Sequence, residues 1–210
     1  EEAVQAAVTI EKIFALENYR DQLASFPQTV WVSEDILLDL ADSQTPQGIV
    51  AVIQKEEVGQ ADFSQGKFLF LEDVQDPGNV GTIIRTADAA GFTGVIVSDK
   101  SADIYSLKTL RSMQGSHFHL PIYRMSSQRL LEGTKEAAIP VLATTLSKDS
   151  VDYRELPPIE NFVLVMGNEG QGISPLMAES ADHLVHISMK GQAESLNVAV
   201  AAGILIFHLS

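Results

Sequence analysis

Three segments carry residue types that can do chemistry if the fold brings them together. The first runs Leu71-Glu72-Asp73-Val74-Gln75-Asp76-Pro77-Gly78-Asn79-Val80-Gly81-Thr82-Ile83-Ile84-Arg85-Thr86-Ala87. An apolar stretch ends here, Asp76-Pro77-Gly78 turns the chain, and Asn79 is placed to cap a helix. Val80, Ile83, Ile84 and Ala87 fall at i, i+3, i+4 and i+7, which predicts one buried stripe, with Gly91 ending the helix. Arg85 sits about 100° around from Ile84 and so points away from that stripe. A guanidinium there is a solvated surface charge or, close to the carboxyl end of a parallel strand, a group that meets a ligand.

The second segment is Phe162-Val163-Leu164-Val165-Met166-Gly167-Asn168-Glu169-Gly170-Gln171-Gly172-Ile173-Ser174. Five apolar residues predict a buried strand, and three glycines in the next six let the backbone turn sharply and approach another group closely. Gly-x-x-Gly-x-Gly differs from the dinucleotide fingerprint Gly-x-Gly-x-x-Gly and lacks the lysine of a phosphate-binding loop. Glu169 would repel phosphate but suits a cationic or hydroxyl-bearing ligand. A plain strand-to-helix turn capped by Ser174 accounts for the same residues without a ligand. The third segment, His186-Ile187-Ser188-Met189-Lys190-Gly191-Gln192-Ala193-Glu194-Ser195-Leu196-Asn197-Val198, is a polar loop leading into an apolar tail. It delivers Ser195 and Asn197 to the start of a helix that is apolar nearly all round and is therefore expected to be buried. A helix cap is the plain alternative for Ser195.

These segments need a scaffold. From Lys67 onward, strand-like runs at 68–71, 95–98, 118–122, 141–144, 162–166 and 184–187 alternate with helical patterns at 80–90, 106–112, 128–138, 175–180 and 196–209. The alternation predicts an α/β fold with a mostly parallel sheet covered on both faces. Residues 1–54 read as a separate small α/β unit. It comprises a helix at 3–8, a strand at 10–15, a helix at 34–40 capped by Ser33, and a strand at 49–53 after a turn at Thr45-Pro46-Gln47-Gly48. The polar stretch 55–66 has little to bury and reads as the linker to the domain 67–210.

Composition narrows the chemistry. The chain has no cysteine, which removes disulfides, thiolate metal sites and cysteine nucleophiles and suits a reducing, cytoplasmic setting. The apolar run 198–209 is too short to span a bilayer, and Glu1-Glu2-Ala3-Val4 is no signal-peptide start, so no membrane is expected. The chain opens in a helical pattern without an initiator Met, so the first domain is expected to begin upstream. A net charge of -14 runs against a nucleic-acid partner, because Lys and Arg supply most of the affinity for phosphate, unless a local patch does the work. His117-x-His119 is a weak pair, and no metal-ligand spacing is present.

Taken in order, the three segments resemble the SpoU (TrmH-like) branch of the SPOUT RNA methyltransferases. The matching pieces are Asn79-x-Gly81-x-Ile83-x-Arg85-Thr86-Ala87, Gly167-Asn168-Glu169-Gly170-x-Gly172, and Ile187-x-Met189-x-Gly191-x-x-Glu194-Ser195-Leu196-Asn197-Val198-x-Val200-Ala201. Residues 1–54 are similar, more weakly, to the ribosomal-protein-like substrate-binding domain attached in this family. The resemblance implies a parallel-sheet methyltransferase domain with a C-terminal trefoil knot, a rare topology. It also implies S-adenosylmethionine as cofactor, no metal, an RNA substrate and a homodimer formed through the knotted domain. Backbone groups around Gly167, Ile187 and Leu196 would hold the cofactor, with Met189, Asn168, Gly172, Thr144 and Leu146 lining the same pocket. Arg85 would act at the ribose 2′-hydroxyl, with Asn79, Glu169, Ser195 and Asn197 shaping the site. Free arginine is a poor base, so positioning a phosphate or stabilising an oxyanion are its other roles.

The leading expectation is 2′-O-ribose methylation of ribosomal RNA. The alternatives are a transfer-RNA 2′-O-methyltransferase, a non-catalytic RNA-binding protein on the same fold, and an ordinary doubly wound nucleotide-binding enzyme. The intact site residues disfavour the non-catalytic protein, and the missing phosphate loop disfavours the nucleotide-binding enzyme.

Overall fold

The structure is a computed structural model that describes residues 2–41, 47–55 and 58–210. The chain divides into two compact units, Glu1–Glu57 and Val58–Ser210.

In the first unit, α1 (Glu2–Gln5) leads to β1 (Ile10–Ala15), β2 (Thr29–Trp31), α2 (Glu34–Ala41) and β3 (Ile49–Ile53). The sheet order is β2-β1-β3, with β1 parallel to β2 and antiparallel to β3. Helix α1 stops short of the expected residue 8 because Ala7 turns into the left-handed region at φ 56. Strand β2 was not expected from sequence; only three residues long, it shows little periodicity. Thr45 and Pro46 of the anticipated turn lie outside the described residues. Gly48 follows them at φ 83, where an added Cβ would strike the ring of Tyr19, whose hydroxyl donates to the Gln47 carbonyl at 2.9 Å.

The second unit runs β4 (Lys67–Leu71), α3 (Pro77–Ala89), β5 (Gly94–Val97), α4 (Leu107–Met113), β6 (Ile122–Arg124), α5 (Ser127–Glu136) and β7 (Val141–Thr144). It continues with β8 (Val151–Asp152), β9 (Phe162–Met166), α6 (Pro175–Ser180), β10 (His183–His186) and α7 (Val198–Leu209). The sheet is seven-stranded in the order β6-β5-β4-β9-β7-β10-β8, and all its pairings are parallel. Side chains alternate between two buried layers. Leu69, Leu71, Leu164 and Met166 face α3, α4 and α7, whereas Phe68, Phe70, Val163 and Val165 face α5 and α6. Such two-sided burial explains why these strands read as unbroken apolar runs.

Three sequence expectations are corrected in this unit, and one strand was not anticipated. Part of the stretch read as linker belongs to the second unit, because Phe63 is buried against Phe68 with ring centroids 5.0 Å apart. Strand β8 is only two residues long and escaped pattern reading. Asn79 does not cap α3; the Asp76 carboxylate does, accepting the Asn79 N–H at 2.9 Å with Pro77 in the first turn. Helix α7 is not buried all round. Ala202, Leu205 and Ile206 are in the core, but Val200 and Phe207 are 53% and 58% exposed.

Candidate active site

In an all-parallel sheet the carboxyl ends of the strands share one edge, so the loops after β4 and β9 emerge next to each other there and the loop after β10 one strand further on, beyond β7. The path from β4 runs outward through β5 to β6 and then returns to the other side of β4, where β9 is its neighbour. Ligands of open α/β sheets bind beside such a reversal.

Each loop is shaped by its own residues. At Gly167 an added Cβ would run into the Gly172 carbonyl group and the Ile173 nitrogen, so only glycine lets the loop fold back on itself. The fold-back is closed by a reciprocal pair, Asn168 N–H to Gly172 O and Gly172 N–H to Asn168 O, both 2.9 Å, with Gly172 at φ 71. The Asn168 side chain works both ways. Its Oδ1 accepts the N–H groups of Gly170 and Gln171 at 2.9 and 3.0 Å, and its Nδ2 donates to the Asp73 carbonyl at 2.8 Å. Ser174 caps α6 as the plain turn reading anticipated.

The three motifs are then joined by side chains. Asn197 Nδ2 donates to Asn79 Oδ1 at 3.1 Å, and Asn79 Nδ2 donates to Glu169 Oε1, also at 3.1 Å. Glu169 further accepts the backbone N–H groups of Gln75 and Asp76 at 3.2 and 3.3 Å, beside the start of α3. Partial burial pushes the Glu169 carboxyl up, but the Asn79 amide and the surrounding backbone N–H groups outweigh it and hold its pKa below the usual glutamate value. Glu169 is thus an anion engaged at several points. Asn197, rather than Ser195, caps α7, its Oδ1 accepting from Ala199 and Val200 at 2.9 and 3.3 Å.

The other predicted residues take no part in this hydrogen-bonded chain. Ile187 and Met189 are half-buried, Ile187 against the core layer of α3 and α7. Thr144 ends β7 and donates its hydroxyl to the Val165 carbonyl at 2.9 Å, while Leu146 is 66% exposed. Ser195 and Leu196 are exposed, and the network does not include Ser195. Residues 189–196 make no hydrogen bond with the rest of the described chain, so their backbone donors and acceptors are open to a ligand. Arg85 is exposed on α3 and, among the described residues, has no ion-pair or hydrogen-bond partner. Lys108 pairs with the capping Asp76 at 2.8 Å.

A set of supporting groups went unread in the sequence. Asp73 takes a left-handed backbone conformation, φ 58, held by Ser98, whose Oγ accepts its N–H at 2.8 Å and donates to its carboxylate at 2.6 Å. Asp152 accepts the Arg154 guanidinium at 2.7 and 2.9 Å and the Ser188 N–H at 3.3 Å, anchoring the loop after β10. Asp76 alone carried a usable signal, an aspartate directly before a proline at a helix start. A cavity of about 380 Å³ lined by Lys67, Leu156, Ile159 and His208 lies toward the amino edge, away from the three loops. Among the described residues no cluster of three metal-ligating side chains occurs, and no helix is long and apolar enough to cross a membrane.

Comparison with known proteins places this geometry. Over its whole length, and 84% of the other protein's, the chain is 41% identical to the Bacillus subtilis 23S rRNA (guanosine(2553)-2′-O)-methyltransferase RlmP. An AdoMet-bound rRNA methyltransferase from Sinorhizobium meliloti superposes with a TM-score of 0.90 at 33% identity, covering 99% of this chain and 82% of that one. The SpoU methyltransferase AviRb from Streptomyces viridochromogenes, in complex with AdoMet, gives 0.82 at 29% identity, covering 99% and 85%. The family model described as the SpoU rRNA Methylase family matches residues 66–207, and this chain belongs to that family.

Proposed function

We propose that this protein transfers a methyl group from S-adenosylmethionine to a ribose 2′-hydroxyl of ribosomal RNA. The observation that carries the reading is the hydrogen-bonded chain Asn197 to Asn79 to Glu169, which makes one surface from the loops of three separate strands. The full-length likeness to RlmP supports the ribose position and the ribosomal target.

The residues present fit the cofactor. A flat adenosyl group needs apolar walls and backbone donors and acceptors; half-buried Ile187 and Met189 supply the first and residues 189–196 the second. Gly167 and Gly172 keep the opposite loop thin, and the reading assigns Thr144, at the end of β7, and exposed Leu146 to the rim. When bound, S-adenosylmethionine supplies an activated methyl on a sulfonium, so alignment of donor and acceptor accounts for much of the rate.

On the RNA side, Glu169 fixes the orientation of the Asn79 amide, and Asn197 holds its other end. Arg85 follows Asn79 by six residues, about 9 Å along the helix. With five N–H donors and no acceptor, its guanidinium holds a phosphate of the target nucleotide or the oxyanion developing at O2′. Ser195 presents its hydroxyl from the exposed loop.

The same reading assigns residues 1–54 to RNA substrate binding. In residues 67–210 it assigns a trefoil knot, supported by β9 lying between β4 and β7 while α7 returns to pack on α3. It assigns a homodimer whose interface includes α7, supported by the exposed Val200 and Phe207 of α7, with exposed Leu196 just before it, on a helix whose Ala202, Leu205 and Ile206 face the core. It places the work in the cytoplasm, where ribosomal RNA is available. The test is incubation with methyl-labelled S-adenosylmethionine and ribosomal RNA, followed by mapping of the label. Label on ribose O2′ is expected; label confined to bases, or no cofactor binding by calorimetry, overturns the reading.

A further inference from the structure

Glu72 is a buried carboxylate of the second unit that the proposed chemistry leaves without a task. It directly follows β4, is 3% exposed, and pairs with no cation among the described residues. Burying a carboxylate this way is costly unless donors surround it. Three do. Ser127 Oγ donates at 2.6 Å and Ser174 Oγ at 2.8 Å, both to Oε1, and the Ser174 N–H donates to Oε2 at 2.8 Å. Ser127 is also the first residue of the ten-residue α5, whose positive dipole end adds to the compensation.

Ser174 closes the loop that begins at Gly167. Its hydroxyl is shared, donating to Glu72 while accepting the Met177 N–H at 3.1 Å as the cap of α6. The start of the loop is held by the neighbouring residue, since Asn168 donates to the Asp73 carbonyl. Adjacent positions after β4 therefore grip both ends of the glycine loop.

We propose that Glu72 is a positioning residue for S-adenosylmethionine: through Ser174 it holds the Gly167 loop in the shape that receives the cofactor. This rests on the reading of that loop as part of the cofactor cradle. Glutamine is the informative replacement because it keeps the shape and changes the hydrogen bonding. Its NH2 group either faces the Ser174 N–H, donor against donor, or forces the Ser127 and Ser174 hydroxyls to turn round and accept, which leaves both O–H groups without the acceptor they have in the parent.

The experiment compares Glu72→Gln, Ser174→Ala, Ser127→Ala and Gly167→Ala, measuring S-adenosylmethionine affinity by calorimetry and KM for cofactor and RNA separately. Glu72→Gln is expected to weaken cofactor binding and raise cofactor KM about tenfold, with RNA KM within about twofold. General destabilisation would lower the active fraction without dividing the two KM values. Ser174→Ala is expected to weaken the cofactor about fivefold and Ser127→Ala less than about twofold, a contrast that decides the matter should Glu72→Gln not fold. Cofactor affinity within twofold of the parent in Glu72→Gln, or equal losses in the two serine variants, overturns the proposal. Unchanged affinity in Gly167→Ala overturns the cradle reading itself. Weakened Gly167→Ala beside unchanged Glu72→Gln removes only the role of Glu72.

Discussion

Replacing Asn197 tests the junction of the three motifs, because this side chain does two separable things. Its Oδ1 caps α7 and its Nδ2 donates to Asn79. Losing a helix cap costs about 1 kcal/mol. The amide-to-amide bond, 3.1 Å long and partly in water, contributes at the low end of the range, about 0.5 to 1 kcal/mol. Asn197→Ala should therefore destabilise the second unit by about 1.5 to 2 kcal/mol, a fall in Tm of about 3–8 °C for a domain of this size. Asn197→Ser keeps a capping oxygen and gives up only the bond to Asn79, so its Tm should fall by about 1–4 °C. Methyl transfer should nevertheless drop in both variants, because Asn79 loses its hold either way. The assay is thermal and urea unfolding at fixed protein concentration, with Asn79→Ala combined with Asn197→Ser as a double-mutant cycle. A coupling of at least about 0.5 kcal/mol is expected for residues in contact. If Asn197→Ser falls as far as Asn197→Ala, the capping argument is wrong. If the cycle closes without coupling, the junction is not an energetic unit.

Other outcomes follow from the same geometry. Arg85→Ala should abolish methyl transfer while leaving cofactor affinity within about twofold, since the exposed guanidinium has no hydrogen-bond or ion-pair partner among the described residues; an active variant refutes its role. Glu169 has a folded pKa below the ordinary 4.5, so its stabilisation is complete above that value and is lost as pH falls through the lower folded one. Glu169→Gln should start less stable at neutral pH, and the gap to the parent should close during acid unfolding; a constant gap contradicts the assignment. Phe207→Glu places a charge in the 58%-exposed apolar stripe of α7 and should convert a dimer to monomer in light scattering, whereas an unchanged mass excludes α7 from the interface. Arg85, Lys148 and Lys190 are exposed cations without ion-pair partners among the described residues. If these carry the phosphate contacts, the slope of log affinity for RNA against log salt should be shallow, about -2 to -3. A slope several times steeper would point to a basic surface elsewhere.

Particular residues show how far the sequence could be read. The buried stripe of Val80, Ile83, Ile84 and Ala87 is fully buried, and β7 and β9 begin and end where their apolar runs do, because periodicity and burial are local properties. Boundaries at helix starts were less legible. Asp76 and Asn79 are both good caps, and the choice fell to Asp76 because Pro77 suits the first turn and leaves the Asn79 amide free for Glu169 and Asn197. The apolar character of α7 was plain, but its outward face was not. Composition reports only that a helix has no polar side; whether the second side meets the core or another chain depends on where it packs.

The sequence by itself determined the alternation of strands and helices, the glycines at 167 and 172, and the three motifs that mark the family. Only the tertiary structure decided that Asn79, Glu169 and Asn197, separated by as many as 118 positions, form one hydrogen-bonded chain, and that Glu72 and Asp73 brace the glycine loop. Hydrogen bonding is directional and acts over about 3 Å. Which donors meet which acceptors was therefore fixed when parallel pairing set β4 beside β9 and brought their carboxyl ends to one edge.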